Sequence, residues 1–280
     1  MTIRTESELL DALGNNNSRL VIDKAAVPNT ASGQLLSFWR AAGQPAQAAI
    51  PGTTPAVPTH ATLGAPDFTQ QTAPATSHLG WMHLSSNFNT QTIEIHDRIA
   101  HMGGLVLNVT TAQPITGLDL APGALNPPAD RIGAADFSDV QWFLEVYADG
   151  GATAANATIA VVYNDASTGS LLALAVGGTL RAGRMIPLTP LIPPADQGKR
   201  IRAITSVTLS ANTGVAGNFG FTCTRQRTAC ALFVANKGET FDAVAMGFPS
   251  VPNGSCLMYA CLTTTTSSGT IRGQGKIVHG

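Results

Sequence analysis

Apolar positions along this chain recur mostly with the two-residue period of strands. From Gly80 onward, runs rich in β-branched and aromatic residues alternate with turn residues. Their spacing predicts strands over 105–111, 140–147, 158–163, 170–176, 184–188, 201–210, 218–224, 228–235 and 256–264. The breaks carry turn chemistry: Asp149-Gly150-Gly151, Asn164-Asp165, Gly177-Gly178 and Asn212-Thr213-Gly214. No helical period lies between these runs, so the crossover helices of a parallel sheet are missing. The expected fold is all-β, an antiparallel β-sandwich of jelly-roll type over residues 79–280.

Helical signals are confined to the start. Thr5 and Glu8 form a capping-box pair, and Leu9, Leu10 and Leu13 then share one face before Gly14. Residues 19–24 read as a short strand. A second short helix is expected from Ser32 to Gly43, with Leu35, Leu36, Trp39 and Ala42 at helical spacing. Six prolines between Pro45 and Pro74 then forbid a continuous helix or a central strand. Residues 1–78 therefore read as an N-terminal extended arm carrying one or two short helices. On this reading Leu9, Leu10, Leu35, Leu36, Phe38 and Trp39 anchor the arm on a neighbouring subunit. When ordered, a Pro/Ala/Thr segment of this length lies on something, either its own domain or a neighbour.

Composition changes the picture more than motifs do. The 16 basic and 17 acidic side chains make up 12% of the chain, against about 25% in an ordinary soluble domain. A net charge of −1 excludes nucleic-acid binding by counterion release. No run approaches the roughly 20 apolar residues of a membrane span. The first residues carry an acid and no apolar core, so no secretory signal is expected. A surface this poor in charge suits a chain that works packed in an assembly.

Candidate chemistry is sparse. Neither a nucleophile elbow, a phosphate loop, a dinucleotide fingerprint nor a metalloprotease helix occurs. His83 and the cluster His96-Asp97-Arg98-Ile99-Ala100-His101 would form a metal or acid–base site only if they converged. Residues five apart on a strand point to opposite faces, so the simpler expectation is an Asp97–Arg98 pair with histidines bonded to backbone. Trp142 alternates with Leu144 and Val146 and reads as core, which leaves Trp81 as the candidate ligand platform, for a glycan. No catalytic residue, metal ligand or cofactor is assigned. Cys223, Cys230, Cys256 and Cys261 match no zinc spacing. Buried thiols are the default for a chain made in the cytosol. The alternative is a Cys223–Cys230 disulfide flanking a hairpin turn at Arg225-Gln226-Arg227.

Several segments together are familiar. These are Arg19-Leu20-Val21-Ile22-Asp23-Lys24-Ala25, Leu36-Ser37-Phe38-Trp39-Arg40-Ala41-Ala42-Gly43 and Ala48-Ala49-Ile50-Pro51. Further along come Asp97-Arg98-Ile99-Ala100-His101-Met102-Gly103-Gly104, Val109-Thr110-Thr111-Ala112-Gln113, Gly183-Arg184-Met185-Ile186-Pro187-Leu188 and Val207-Thr208-Leu209-Ser210-Ala211-Asn212-Thr213-Gly214. Over residues from about 19 to 220, the chain resembles structural virion proteins of tailed bacteriophages, of the head decoration or minor structural type. The last 60 residues, with all four cysteines, lie outside the resemblance. It implies a compartment, the virion, with synthesis in the bacterial cytoplasm, more than a mechanism; the lack of catalytic motifs is what makes no enzyme activity the expectation. The resemblance implies partners too: the major capsid protein or other virion proteins, and further copies of the chain. A homotrimer is the expectation from the symmetry of such particles. A neck, collar or tail-attached protein with a glycan-binding jelly roll is the alternative placement.

Overall fold

In the computed structural model, residues 3–280 are described, and the strands among them pair antiparallel throughout. The chain opens with helix α1 (Glu6–Asn15), then β1 (Asn17–Lys24), β2 (Gln34–Ser37) and β3 (Gly43–Gln44). The long β4 (Ser77–Ser86) and β5 (Gln91–Leu105) follow, then β6 (Gln113–Pro114) and the single turn α2 (Ala129–Ile132). Next come β7 (Gln141–Ala148), β8 (Ala155–Tyr163), β9 (Thr168–Ser170), β10 (Leu174–Val176), β11 (Arg184–Pro187) and β12 (Ile201–Leu209). The chain ends with β13 (Asn218–Leu232), β14 (Glu239–Phe241), β15 (Leu257–Thr263) and β16 (Ile271–His279).

These strands build three layers. A first sheet has the order β14-β4-β16-β1-β3, and a second has β10-β8-β12-β6 with β9 beside β8. Between them β11-β2-β15-β5-β13-β7 close into a barrel. The all-β, antiparallel expectation holds. The expected jelly-roll sandwich gives way to a barrel covered on two sides. Alternation explains how it is covered. Ile93, Ile95, Leu257, Tyr259 and Cys261 pack outward against Leu20, Ile22, Leu79 and Met82 of the first sheet. Trp142, Leu144, Val146, Phe219 and Phe221 pack outward against Ile159, Val161, Val207 and Leu209 of the second. The opposite parity of the same strands faces the barrel interior.

The N-terminal arm is corrected. β1 sits inside the first sheet between β16 and β3, and β2 inside the barrel between β11 and β15. The expected helix over 32–43 is strand and loop, because Leu35 and Leu36 are used on opposite faces. Leu35 packs in the barrel cluster and Leu36 in the cluster under the first sheet. Leu36, Phe38 and Trp39 are almost fully buried within their own chain, so they anchor core and no neighbour. Leu35 is half-buried there too. Residues 45–76 lie on their own domain: Ala56 exchanges backbone hydrogen bonds of 3.0 Å with His101, and Gly103 N–H donates to Gly52 at 2.8 Å. Bare backbone makes room for this contact. A Cβ on Gly103 would sit 2.5 Å from the Pro51 carbonyl oxygen, and one on Gly104 2.5 Å from the Thr53 methyl. The accessible surface of 11350 Å² matches the roughly 11,400 Å² of a folded monomer of 28.9 kDa. An arm leaving the domain would add to it.

The capping box at α1 forms as expected, with Thr5 Oγ1 accepting from Glu8 N–H at 3.2 Å and Glu8 Oε2 from Thr5 N–H at 2.9 Å. Gly14 does not stop the helix, which runs to Asn15. The strand expected over 105–111 is only the end of β5 and a loop. The 218–224 and 228–235 runs are one strand, β13.

Candidate functional site

The barrel interior holds a chain of buried polar groups. Arg98 on β5 sends Nη2 to Glu145 Oε2 at 2.7 Å, to Tyr147 Oη at 2.8 Å and to Thr222 Oγ1 at 2.9 Å. Its Nε donates to His101 Nδ1 at 2.8 Å, and the guanidinium lies 4.5 Å from the centroid of the Trp39 ring. Glu145 also accepts from Tyr147 Oη at 3.1 Å and from Thr222 Oγ1 at 2.5 Å. Burial alone would raise the Glu145 carboxyl, but the Arg98 guanidinium outweighs it and holds the group below the usual carboxylate range. Burial and the Arg98 charge push His101 down to about 2, so a neutral imidazole accepts the hydrogen bond from Arg98 Nε–H. Farther along the interior, His96 bonds to Thr224 Oγ1 at 2.9 Å and to Glu94 Oε2 at 2.8 Å.

Asp97, the next residue on β5, points the other way and is fully buried. Its Oδ1 accepts from Arg131 Nη2 at 2.8 Å and from Cys256 N–H at 2.9 Å. Oδ2 accepts from Arg131 Nε at 3.2 Å, Arg227 Nη2 at 2.9 Å and Ser255 Oγ at 2.9 Å. Arg131 then reaches the Pro58 carbonyl at 2.9 Å and the Arg98 carbonyl at 2.8 Å. One carboxylate thus ties β5, α2, β13, the 255–256 turn and the proline-rich segment together. Burial opposes its ionisation, and the two guanidiniums outweigh burial, so it stays ionised below the ordinary value.

The expected Asp97–Arg98 pair is therefore corrected: consecutive strand residues face opposite sides, and each finds its own partner. His83, His96, Asp97 and His101 do not converge. His83 lies on the outer face of the first sheet, with Nδ1 2.7 Å from Thr240 Oγ1. The Cys223–Cys230 disulfide is corrected as well. Both sit on the unbroken strand β13, and seven residues at about 3.3 Å each leave them some 23 Å apart. Cys230 and Cys261 flank Ile93 from the two neighbouring strands, two strand spacings or about 9.6 Å apart, also too far to bond. All four thiols are free and buried, and burial pushes Cys230, Cys256 and Cys261 up to about 12.

Trp81 lies half-buried on the outer face of β4. It lines an open groove of about 1000 Å³ between α1, β4 and the 240–248 segment. Leu9, Leu10 and Leu13 of α1 form one wall, Ala243, Val244 and Phe248 the other, and Gln274 and His83 lie between. Leu9 and Leu10, expected as arm anchors, are thus brought together with Trp81. Leu10 is 62% exposed and Val244 87%. Sequence reading missed the partners Glu145, Thr222, Arg131 and Arg227, which lie on other strands or on α2. The one signal was that Glu145 of β7, and Thr222 and Thr224 of β13, alternate with apolar residues on strands that otherwise read as core.

No protein family matches the chain, and no curated protein matches its sequence. Two solved viral structures align over most of it. The infectious bursal disease virus Gt strain covers 94% of this chain and 81% of its own at 9% identity and a TM-score of 0.19. The VP2 subviral particle of that virus covers 95% and 80% at 14% identity and a TM-score of 0.17. Superposition this poor carries no conclusion about fold or function.

Proposed function

We propose that this chain is a structural subunit of a bacteriophage particle, a decoration protein that binds the outside of the assembled shell. The observation that supports it most is where charge and apolar surface lie. Of the 33 charged side chains, Lys24, Asp97, Arg98, Arg131, Glu145 and Arg227 are buried, so a charge-poor chain has a still poorer surface. Large apolar side chains stand exposed instead, which suits a protein that spends its life against neighbours. The resemblance of the segments between residues 19 and 220 to tailed-phage virion proteins supplies the compartment. The binding physics is mass action: a subunit that attaches only to the assembled shell stabilises it by each interface it adds. Attachment runs through the faces of a folded domain, and the role involves no reaction.

Cryo-electron microscopy of the purified particle tests this reading. Hundreds of copies on the head are the expected result. A ring of six, ten or twelve copies at the neck or tail overturns it. That outcome would favour the second reading, a tail-attached glycan binder, which the position of Trp81 in its groove supports.

A further inference from the structure

The outer face of the first sheet carries more exposed apolar side chains than a free surface needs. Leu10 and Val244 stand on opposite rims of the Trp81 groove. Phe233 and Val234, 64% and 49% exposed, follow β13 in the loop that leads to β14. This tip is fixed to the groove's edge, because Phe233 N–H donates to Glu239 Oε1 at 3.0 Å. Gly238, next along, passes so close to the His83 ring that a Cβ there would meet Nε2 at 2.4 Å. The loop that carries Phe233 and Val234 therefore adjoins the groove through His83 and β14.

Charge on this face is complementary to itself. Lys237 of the tip, and Glu6 and Asp242 of the groove, make no ion pair among the described residues. Arg4 on the same rim is offset by Glu8, whose carboxylate accepts from Arg4 N–H at 2.7 Å and feels its guanidinium.

We infer that this face binds a second copy of the chain about a two-fold axis, the Phe233–Val234 tip of each copy entering the Trp81 groove of the other. A two-fold contact needs a self-complementary patch, and a plug beside its own receptor is such a patch. Leu10, Trp81 and Val244 would supply the apolar centre, with Lys237 of one copy facing Asp242 and Glu6 of the other at the rim. The inference stands on this face alone and not on placement in a virion, so purified chain tests it.

Sedimentation equilibrium should give twice 28.9 kDa for the wild type. Val244→Asp and Phe233→Asp should each weaken association by at least about tenfold with an unchanged circular dichroism spectrum, since both side chains are exposed. Lys237→Glu should weaken it less, and Lys237→Glu with Asp242→Lys should restore it, which a change of fold would not do. A wild-type mass of one or three chains overturns the inference. So does a monomer whose tryptophan fluorescence responds to dextran oligosaccharide in the wild type but not in Trp81→Phe, which would assign the groove to a glycan.

Discussion

The barrel interior and the outer face of the first sheet use opposite chemistry from what their positions suggest. Inside, where apolar side chains are the rule, Arg98 pairs with Glu145 and His96 with Glu94. Outside, where charge is the rule, Leu10, Val244, Phe233 and Val234 face solvent. The reason is geometric. Covering the barrel on two sides uses its outward parity for both apolar clusters, so the inward parity is free to be polar. Arg98 then finds its counter-charge across the barrel in Glu145 of β7, while His96 bonds both to Thr224 of β13 and to Glu94 of its own strand. The outer face has no such cover within the chain, and its apolar side chains are left to be covered from outside.

The comparison breaks hardest if residues 1–44 are removed. The deletion takes away β1 from the first sheet and β2 from the barrel, opening both, and the expected product is unfolded or aggregated by circular dichroism. A folded, soluble remainder would return these residues to the status of an arm. Next comes Arg98→Ala, which leaves Glu145 buried without its counter-charge. Its expected cost is about 3–5 kcal/mol, or roughly 10 °C in melting temperature for a domain of this size. Replacing both partners, Arg98→Met with Glu145→Leu, should recover most of that loss, because no unpaired charge remains.

Asp97→Asn leaves Arg131 and Arg227 buried without their counter-charge and should cost a similar amount, about 3–5 kcal/mol, and it should also change the response to acid. The Asp97 and Glu145 carboxyls are held below their ordinary values of 3.8 and 4.5. The stability they provide is complete above those values and is lost as pH falls through and below them. Urea titrations from pH 6 to pH 3 should show a shallower fall for Asp97→Asn than for the wild type. The smallest effect belongs to Lys24, whose Nζ donates to the Ala41 and Pro45 carbonyls at 3.1 and 2.6 Å. Burial lowers it from 10.5 to about 8. The folded chain thus holds this proton less tightly than the unfolded one, so stability should rise between about pH 8 and 10.5 and rise less in Lys24→Met. On the outer face, Val244→Asp should leave the melting temperature unchanged at concentrations low enough that wild type and variant are both monomeric, which is what separates the two regions.

Much of the strand content was legible because half-buried strands write their alternation into sequence. Residues 140–147, 158–163 and 201–210 fall on β7, β8 and β12 within a few residues. β5 was not legible: Glu94, His96, Asp97, Arg98 and His101 make it look like a polar site rather than a core strand. β16 was missed because Gly273 and Gly275 interrupt it where close neighbours leave no space, a Cβ on Gly275 meeting Met82 Sδ at 2.2 Å. Trp81 could be picked out as a platform, but not the groove. α1 and the 240–248 segment, more than 220 residues apart in the chain, make its two walls.

By itself the sequence determined the all-β, antiparallel character, the capped first helix and the scarcity of charge, since each is a local or compositional property. Only the tertiary structure decided that the barrel closes, that the proline-rich segment lies on its own domain, and that Asp97 and Arg98 serve different networks. Those outcomes depend on which distant strands pair. A strand's own residues fix its two faces but not what lies against either.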